Sequence, residues 1–167
     1  MDIKTTLEKS INRQIQMELA SFYAYLGMEA WFEEKALSGF AHWMRLQSSE
    51  EHEHAMKFFT YLHDRGGSVT LFGLDKPKMD FASPLEVFQA SLAQERAVSA
   101  SIYEIYEEAH DQKDFATVSF LKWFLDEQVE EERSTSDMVQ RLEFAGDSPE
   151  AIFLLDKEAG QRGGGGS

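Results

Sequence analysis

The 167-residue sequence contains no cysteine, which excludes disulfides, thiolate metal sites and rubredoxin-type iron centres together. Basic residues are scarce: 16 Lys and Arg stand against 30 Asp and Glu, for a formal net charge of -14. Nucleic acid and anionic membrane surfaces, whose phosphates demand clustered Lys and Arg, are therefore poor partners, and cations are good ones. No stretch approaches the roughly 18 apolar residues of a membrane span. Met1 to Thr6 lack the apolar core of a signal peptide, so a soluble, cytoplasmic protein is expected. What the chain does have is 43% hydrophobic residues with 13 Phe, enough for one sizeable core and too little length to need two domains. Residues Gly163 to Ser167 have the composition of a flexible linker. The expected domain is therefore 1–162, with 163–167 as an appended tail.

Helical periodicity organises the rest. From about Lys4 to Glu34 the inward set reads Leu7, Ile11, Ile15, Glu18, Phe22, Tyr25 and Leu26. After a break at Glu34 to Gly39, a second stripe carries Phe40, Met44, Gln47, Glu51, His54, Phe58 and Tyr61, until Gly66-Gly67 stops it. Gly66 to Ser83 has no helical period. Fully extended at about 3.3 Å per residue, it can run the length of a helix of roughly 27 residues, about 40 Å, so the third helix can start beside the start of the second. A bundle crossover accounts for a connection this long. The third helix opens at Ser83-Pro84-Leu85-Glu86, a capping box with Pro at the first helical position. Its stripe is Leu85, Phe88, Leu92, Glu95, Ser99, Ile102, Tyr106 and Ala109, ending around His110 to Asp114. A fourth helix from about Phe115 has Leu121, Phe124, Gln128, Glu131, Thr135, Met138 and Leu142 in phase. Gly146 ends it, and Ser148-Pro149 starts a short fifth helix rich in Ile, Phe and Leu. The expected fold is all-α: a four-helix bundle of antiparallel hairpins, a long crossover between helices 2 and 3, and a short C-terminal helix whose apolar residues want a partner surface.

Each of the four stripes is interrupted by groups suited to metal binding. Glu18 and Glu95 are each followed 33 positions later by an i, i+3 pair, Glu51 with His54 and Gln128 with Glu131. In antiparallel hairpins folded about the midpoints of these intervals, all six residues lie at one height. Unpaired carboxylates buried in one layer would cost several kcal/mol each, and divalent cations compensate them: carboxylates bridge two ions, imidazole suits iron or zinc, and the i, i+3 spacing aims Glu51 and His54 at one ion. Phase separates Gln128 and Glu131 from their neighbours. Glu127 leads on to Ser134, Asp137 and Arg141, a polar face, so Glu127 and Glu130 belong to the flank. For Glu50, Glu127 and Glu130, a solvated acidic surface and a further metal site both fit. Trp123 reads as a packing residue, and His42, His63 and His110 as surface or helix-end groups; His52 points off the ligand face.

A Glu from two helices with Glu-x-x-His-type pairs from the other two is the ligand arrangement of di-iron carboxylate bundles. The ordered set Glu18, Tyr25, Glu51-x-x-His54, Glu95 and Gln128-x-x-Glu131 resembles the non-haem ferritins of bacteria and archaea over about residues 3 to 162. That resemblance implies iron storage in a 24-subunit cage, with Fe(II) oxidised by dioxygen at two iron positions per subunit. Glu18, Glu51 and His54 would hold one iron, and Glu51 would bridge to a second held by Glu95 with Gln128 and Glu131 alongside. Tyr25 would supply an electron, and Glu50, Glu127 and Glu130 would hold a third iron. Bacterioferritins carry a second Glu-x-x-His where this chain has Gln128-x-x-Glu131, and a haem-ligating Met where it has His52, so no haem is expected. Two rival readings are a cage used as a scaffold with an incidental metal site, and a di-iron oxidase that forms no cage.

Overall fold

The computed structural model describes residues 2–163; the expected tail lies outside the described residues except for Gly163. The described chain forms α1 (Thr5–Glu34), α2 (Ser38–Asp64), α3 (Pro84–Asp111), α4 (Phe115–Ala145) and α5 (Pro149–Ala159). The caps follow from the sequence. Ser83 Oγ accepts from the Glu86 backbone N–H ahead of Pro84, Asp114 does the same for Thr117, and Ser148 for Ala151. Gly66 and Gly146 take positive φ at the ends of α2 and α4, where a Cβ would be strained.

The first four helices make two antiparallel hairpins joined by the long connection. One end of the bundle gathers the start of α1, the ends of α2 and α3, and the start of α4: Ile3 N–H donates to the Arg65 carbonyl, Lys4 Nζ to the Gln112 carbonyl, and Arg65 pairs with Asp114 at 2.9 Å. Hence α2 and α3 run in the same direction, as the length of the crossover requires. The crossover lies along α1. Asn12 receives the Thr70 N–H and donates to the Ser68 carbonyl, Gln16 donates to the Gly73 carbonyl, and a Cβ on Gly27 would stand 3.0 Å from the Lys78 oxygen. Small and amide side chains on the outer face of α1 thus hold a segment that has no ladder of its own.

Two apolar clusters fill the interior. One, at the end just described, includes Leu7, Ile11, Ile15, Phe58, Leu62, Ile102, Leu121 and Phe124; the other includes Tyr25, Phe32, Phe40, Met44, Phe88, Leu92, Met138 and Leu142. Phe22, Leu26, Tyr61, Leu85 and Tyr106, expected inward, are only half-buried. They sit at stripe edges, because a straight 3.6-residue helix drifts relative to any fixed row of positions.

Helix α5 docks on the start of α2. Asp156 accepts from the Phe40 N–H at 2.8 Å, satisfying an otherwise unpaired donor at the α2 N-terminus, and Gly39 admits the α5 backbone so closely that a Cβ there would lie 1.7 Å from the Asp156 carbonyl oxygen. Gly39→Ala should therefore cost about 1–3 kcal/mol in urea unfolding through overpacking, with loss of amide protection in α5. Unchanged stability and protection would contradict this docking.

Candidate metal centre

The predicted site residues occupy the gap between the two apolar clusters on every helix. Glu18 lies between Ile15 and Tyr25, Glu51 and His54 between Met44 and Phe58, Glu95 between Leu92 and Val98, and Gln128 and Glu131 between Phe124 and Met138. All six are buried. Glu18, Glu51 and His54 converge: one ligand atom from each lies within 4.8 Å of the others. His54 Nδ1 stands 3.8 Å from Glu18 Oε2 and 3.7 Å from Glu51 Oε1. These are too long for hydrogen bonds. They are not ion pairs either, because burial, with the Lys57 charge second, lowers the His54 pKa to about 4 and leaves the ring neutral at pH 7.

Glu18 Oε2, both Glu51 carboxylate oxygens and His54 Nδ1 are buried without a hydrogen-bond partner. Such atoms are costly unless something satisfies them. A cation suits the geometry: two ligand atoms at about 2.1 Å from one ion are at most about 4.2 Å apart, and both measured separations fall inside that limit. The donor set of two carboxylates and a neutral imidazole suits iron or zinc.

The other three residues make a second half that is hydrogen-bonded. Glu95 accepts from the Tyr25 hydroxyl at 2.5 Å and from Gln128 Nε2 at 3.2 Å. Glu131 accepts from Gln47 Nε2 at 2.9 Å, while Gln47 Oε1 and Gln128 Oε1 have no donor. Burial pushes the Glu95 carboxyl up to about 8, with Glu131 adding to the shift and the Tyr25 and Gln128 hydrogen bonds opposing it. Glu18 and Glu51 are also raised, in both cases first by burial. The Tyr25 phenol is held well above its usual range by burial and then by Glu95 and Glu51, so it stays protonated.

A family model for the ferritin-like domain matches residues 8–145. The chain belongs to the ferritin family. The bacterial non-haem ferritin of Staphylococcus aureus is 39% identical over 160 residues, 96% of each chain. The open-pore ferritin of Archaeoglobus fulgidus superposes with a TM-score of 0.95 at 41% identity, covering 97% of this chain and all of that one. A humanized archaeal ferritin gives 0.97 at 41% identity over 99% of this chain. Iron storage is thus the function class of this ferritin-family chain.

The remaining candidates sit around this layer. Glu50 is buried against Arg162, Glu127 is half-buried, and Glu130 is exposed and paired with Arg133. Among the described residues these three do not form a metal-ligand group with one another. Trp123 packs edge-on against the His54 ring, with Lys57 Nζ 2.9 Å from its ring centroid. His63 and His110 are exposed, whereas His42, expected at the surface, is partly buried and contacts the Arg162 carbonyl at 2.8 Å. His52 is exposed beside the Phe22 ring. Gln14, which donates to Glu18 at 2.8 Å, was not among the expected residues, although its i, i+4 position before Glu18 was a readable signal.

The raised carboxyls set a pH dependence. A carboxyl whose folded pKa is raised contributes stability that is full below its ordinary value near 4.5 and falls as pH rises toward the folded value. For Glu95 that window runs from about 4.5 to about 8. In chelator-treated protein, Glu95→Gln should raise Tm at pH 8 and leave it little changed at pH 4.5. Equal effects at both values would mean that Glu95 is not buried as an uncompensated acid.

Proposed function

We propose that the buried layer is a ferroxidase centre, in which two Fe(II) ions enter as substrate, each gives an electron to dioxygen, and the ferric product is stored as mineral inside a cage of 24 copies of the chain in the cytoplasm. The observation that carries this reading is the convergence of Glu18, Glu51 and His54 ligand atoms in a buried layer between two apolar clusters.

In this reading Glu18, Glu51 and His54 hold one iron. Glu51, whose oxygens receive no amide or hydroxyl donor, bridges to the second, which Glu95, Gln128 and Glu131 hold. Iron brings the redox chemistry, and the chain brings charge. Four carboxylates in a low-dielectric layer stabilise Fe(III) relative to Fe(II), because the added positive charge is attracted more strongly there than in water. Binding releases the protons that burial keeps on Glu18, Glu51 and Glu95 in the metal-free chain. Tyr25 is placed to give a further electron to the dioxygen, which with one from a third Fe(II) would complete its four-electron reduction to water, and the Tyr25 hydroxyl proton passes to Glu95 Oε1 as the phenol is oxidised. Glu50, Glu127 and Glu130 form the flank on which a third iron would sit beside Glu131.

Support for a cage comes from the likeness to ferritins, one of them described as an open-pore ferritin. It also comes from apolar residues that a lone subunit leaves in water: Phe144 is 96% exposed, and Phe153 and Leu154 are each 60% exposed. Among the described residues no helix is long and apolar enough to cross a membrane.

Glu51→Ala should slow the rise of ferric absorbance after Fe(II) is mixed with air-saturated protein by at least about 100-fold, beyond the 10–100-fold typical of residues that only support a ligand. An unchanged fast phase would overturn the assignment. In light scattering the native particle should have 24 times the mass of the chain, and a monomer or dimer would favour a di-iron oxidase without a cage.

A further inference from the structure

The C-terminal segment after α5 returns to the metal layer. Arg162 Nη2 lies 3.2 Å from both carboxylate oxygens of Glu50, and its guanidinium stands 4.5 Å from the centroid of the Trp43 ring. Its carbonyl meets His42 Nε2, so backbone and side chain are both tied to α2. The side chain is only 21% exposed, and Nη1 is buried without a partner. This is an ordered, largely desolvated cation, not a surface arginine.

Its position gives it a role. The Glu50 side chain is only 11% exposed, and Arg162 is the cation that contacts both of its oxygens. From Glu131 a hydrogen-bonded path continues into the metal layer: Gln47 Nε2 donates to Glu131 and, at 3.4 Å, to the Tyr25 hydroxyl, which donates to Glu95. Gln47 Oε1 and Thr135 Oγ1, the latter one turn beyond Glu131, are fully buried and have no hydrogen-bond partner.

We propose that Arg162 is a built-in cation for Glu50, occupying the charge position that a third metal ion would take, and that an ion can bind there only when the Arg162 segment lets go. The inference rests on the third-ion position given above. It makes the C-terminal segment a latch: the chain neutralises Glu50 with its own guanidinium until a divalent ion displaces it. Arg162 Nη2 contacts both Glu50 oxygens, so an ion that takes either oxygen removes one of these contacts, and occupation and release are linked in both directions.

Zn(II) titration by calorimetry at pH 7.5 on the assembled protein tests this. Wild type should bind two ions tightly and a third weakly. Arg162→Gln should tighten the third by at least about tenfold and leave the first two unchanged, while Arg162→Lys, which keeps the charge, should stay close to wild type. Hydrogen exchange supplies a second readout. The Gly160, Gln161 and Arg162 amides are hydrogen-bonded to Asp156, Glu158 and Ala159, and in wild type they should exchange faster once the third ion is bound. A third-ion affinity equal in wild type and Arg162→Gln, or exchange in this segment unaltered by loading, would overturn the latch while leaving the two-ion reading intact. Failure to bind any ion tightly would overturn both.

Discussion

Four carboxylates buried at one level of a helical bundle, with no Lys or Arg inside the layer to neutralise them, are the constraint on which the rest of this structure depends. Glu18, Glu51, Glu95 and Glu131 lie between two apolar clusters, each of which would pack well alone. Placing the acids between them costs stability in the metal-free chain, most clearly through raised carboxyl pKa values that mark how poorly the layer tolerates charge. Glutamines soften the cost without removing it. Gln14 donates to Glu18, Gln128 to Glu95 and Gln47 to Glu131, and each brings a donor without bringing a charge. Glu51 receives no glutamine donor, and the group its carboxyl faces is another acid, Glu18. The least compensated residue is thus the one between the two halves of the layer.

The surroundings make that cost bearable. Tight aromatic packing below the layer, with Phe58 stacked on Phe124 and Phe120 on Tyr61, and a second aromatic group of Phe32, Phe40 and Phe88 above it hold the helices at fixed separations. The ligand atoms therefore cannot collapse onto one another or swing out to water. The crossover pinned along α1 and the docking of α5 on α2 fix the relative height of the hairpins. Pre-organisation of this kind is what lets a site bind an ion without paying again for ordering its ligands.

Much of this was legible in the sequence, for a reason that is particular to helices. Side chains on one helix share a face by simple periodicity, so the stripe phases placed Glu51 with His54 and selected Gln128 and Glu131 over Glu127 and Glu130; the latter two are half-buried and exposed. Start signals such as Ser83-Pro84 are local chemistry and fall where the helix begins. Contacts between distant segments were not legible. Glu50 and Arg162 are 112 positions apart, and nothing in either neighbourhood indicates that α5 folds back over the start of α2. His42 read as a surface group for the same reason, since its partner is a backbone carbonyl at the far end of the chain. The half-burial of Phe22 and Leu26 was missed because a row of positions on a helix is straight in sequence but oblique in space.

The central claim is that one layer of side chains holds two metal ions that share Glu51. Anomalous diffraction from a crystal soaked in Fe(II) without oxygen, or in Zn(II), tests it most directly. The expected result is two peaks per subunit roughly 3.5–4 Å apart, with Glu51 reaching both, His54 and Glu18 on one, and Glu95 on the other. A single peak, or peaks at surface carboxylates with the Glu18, Glu51 and His54 cluster empty, would contradict it.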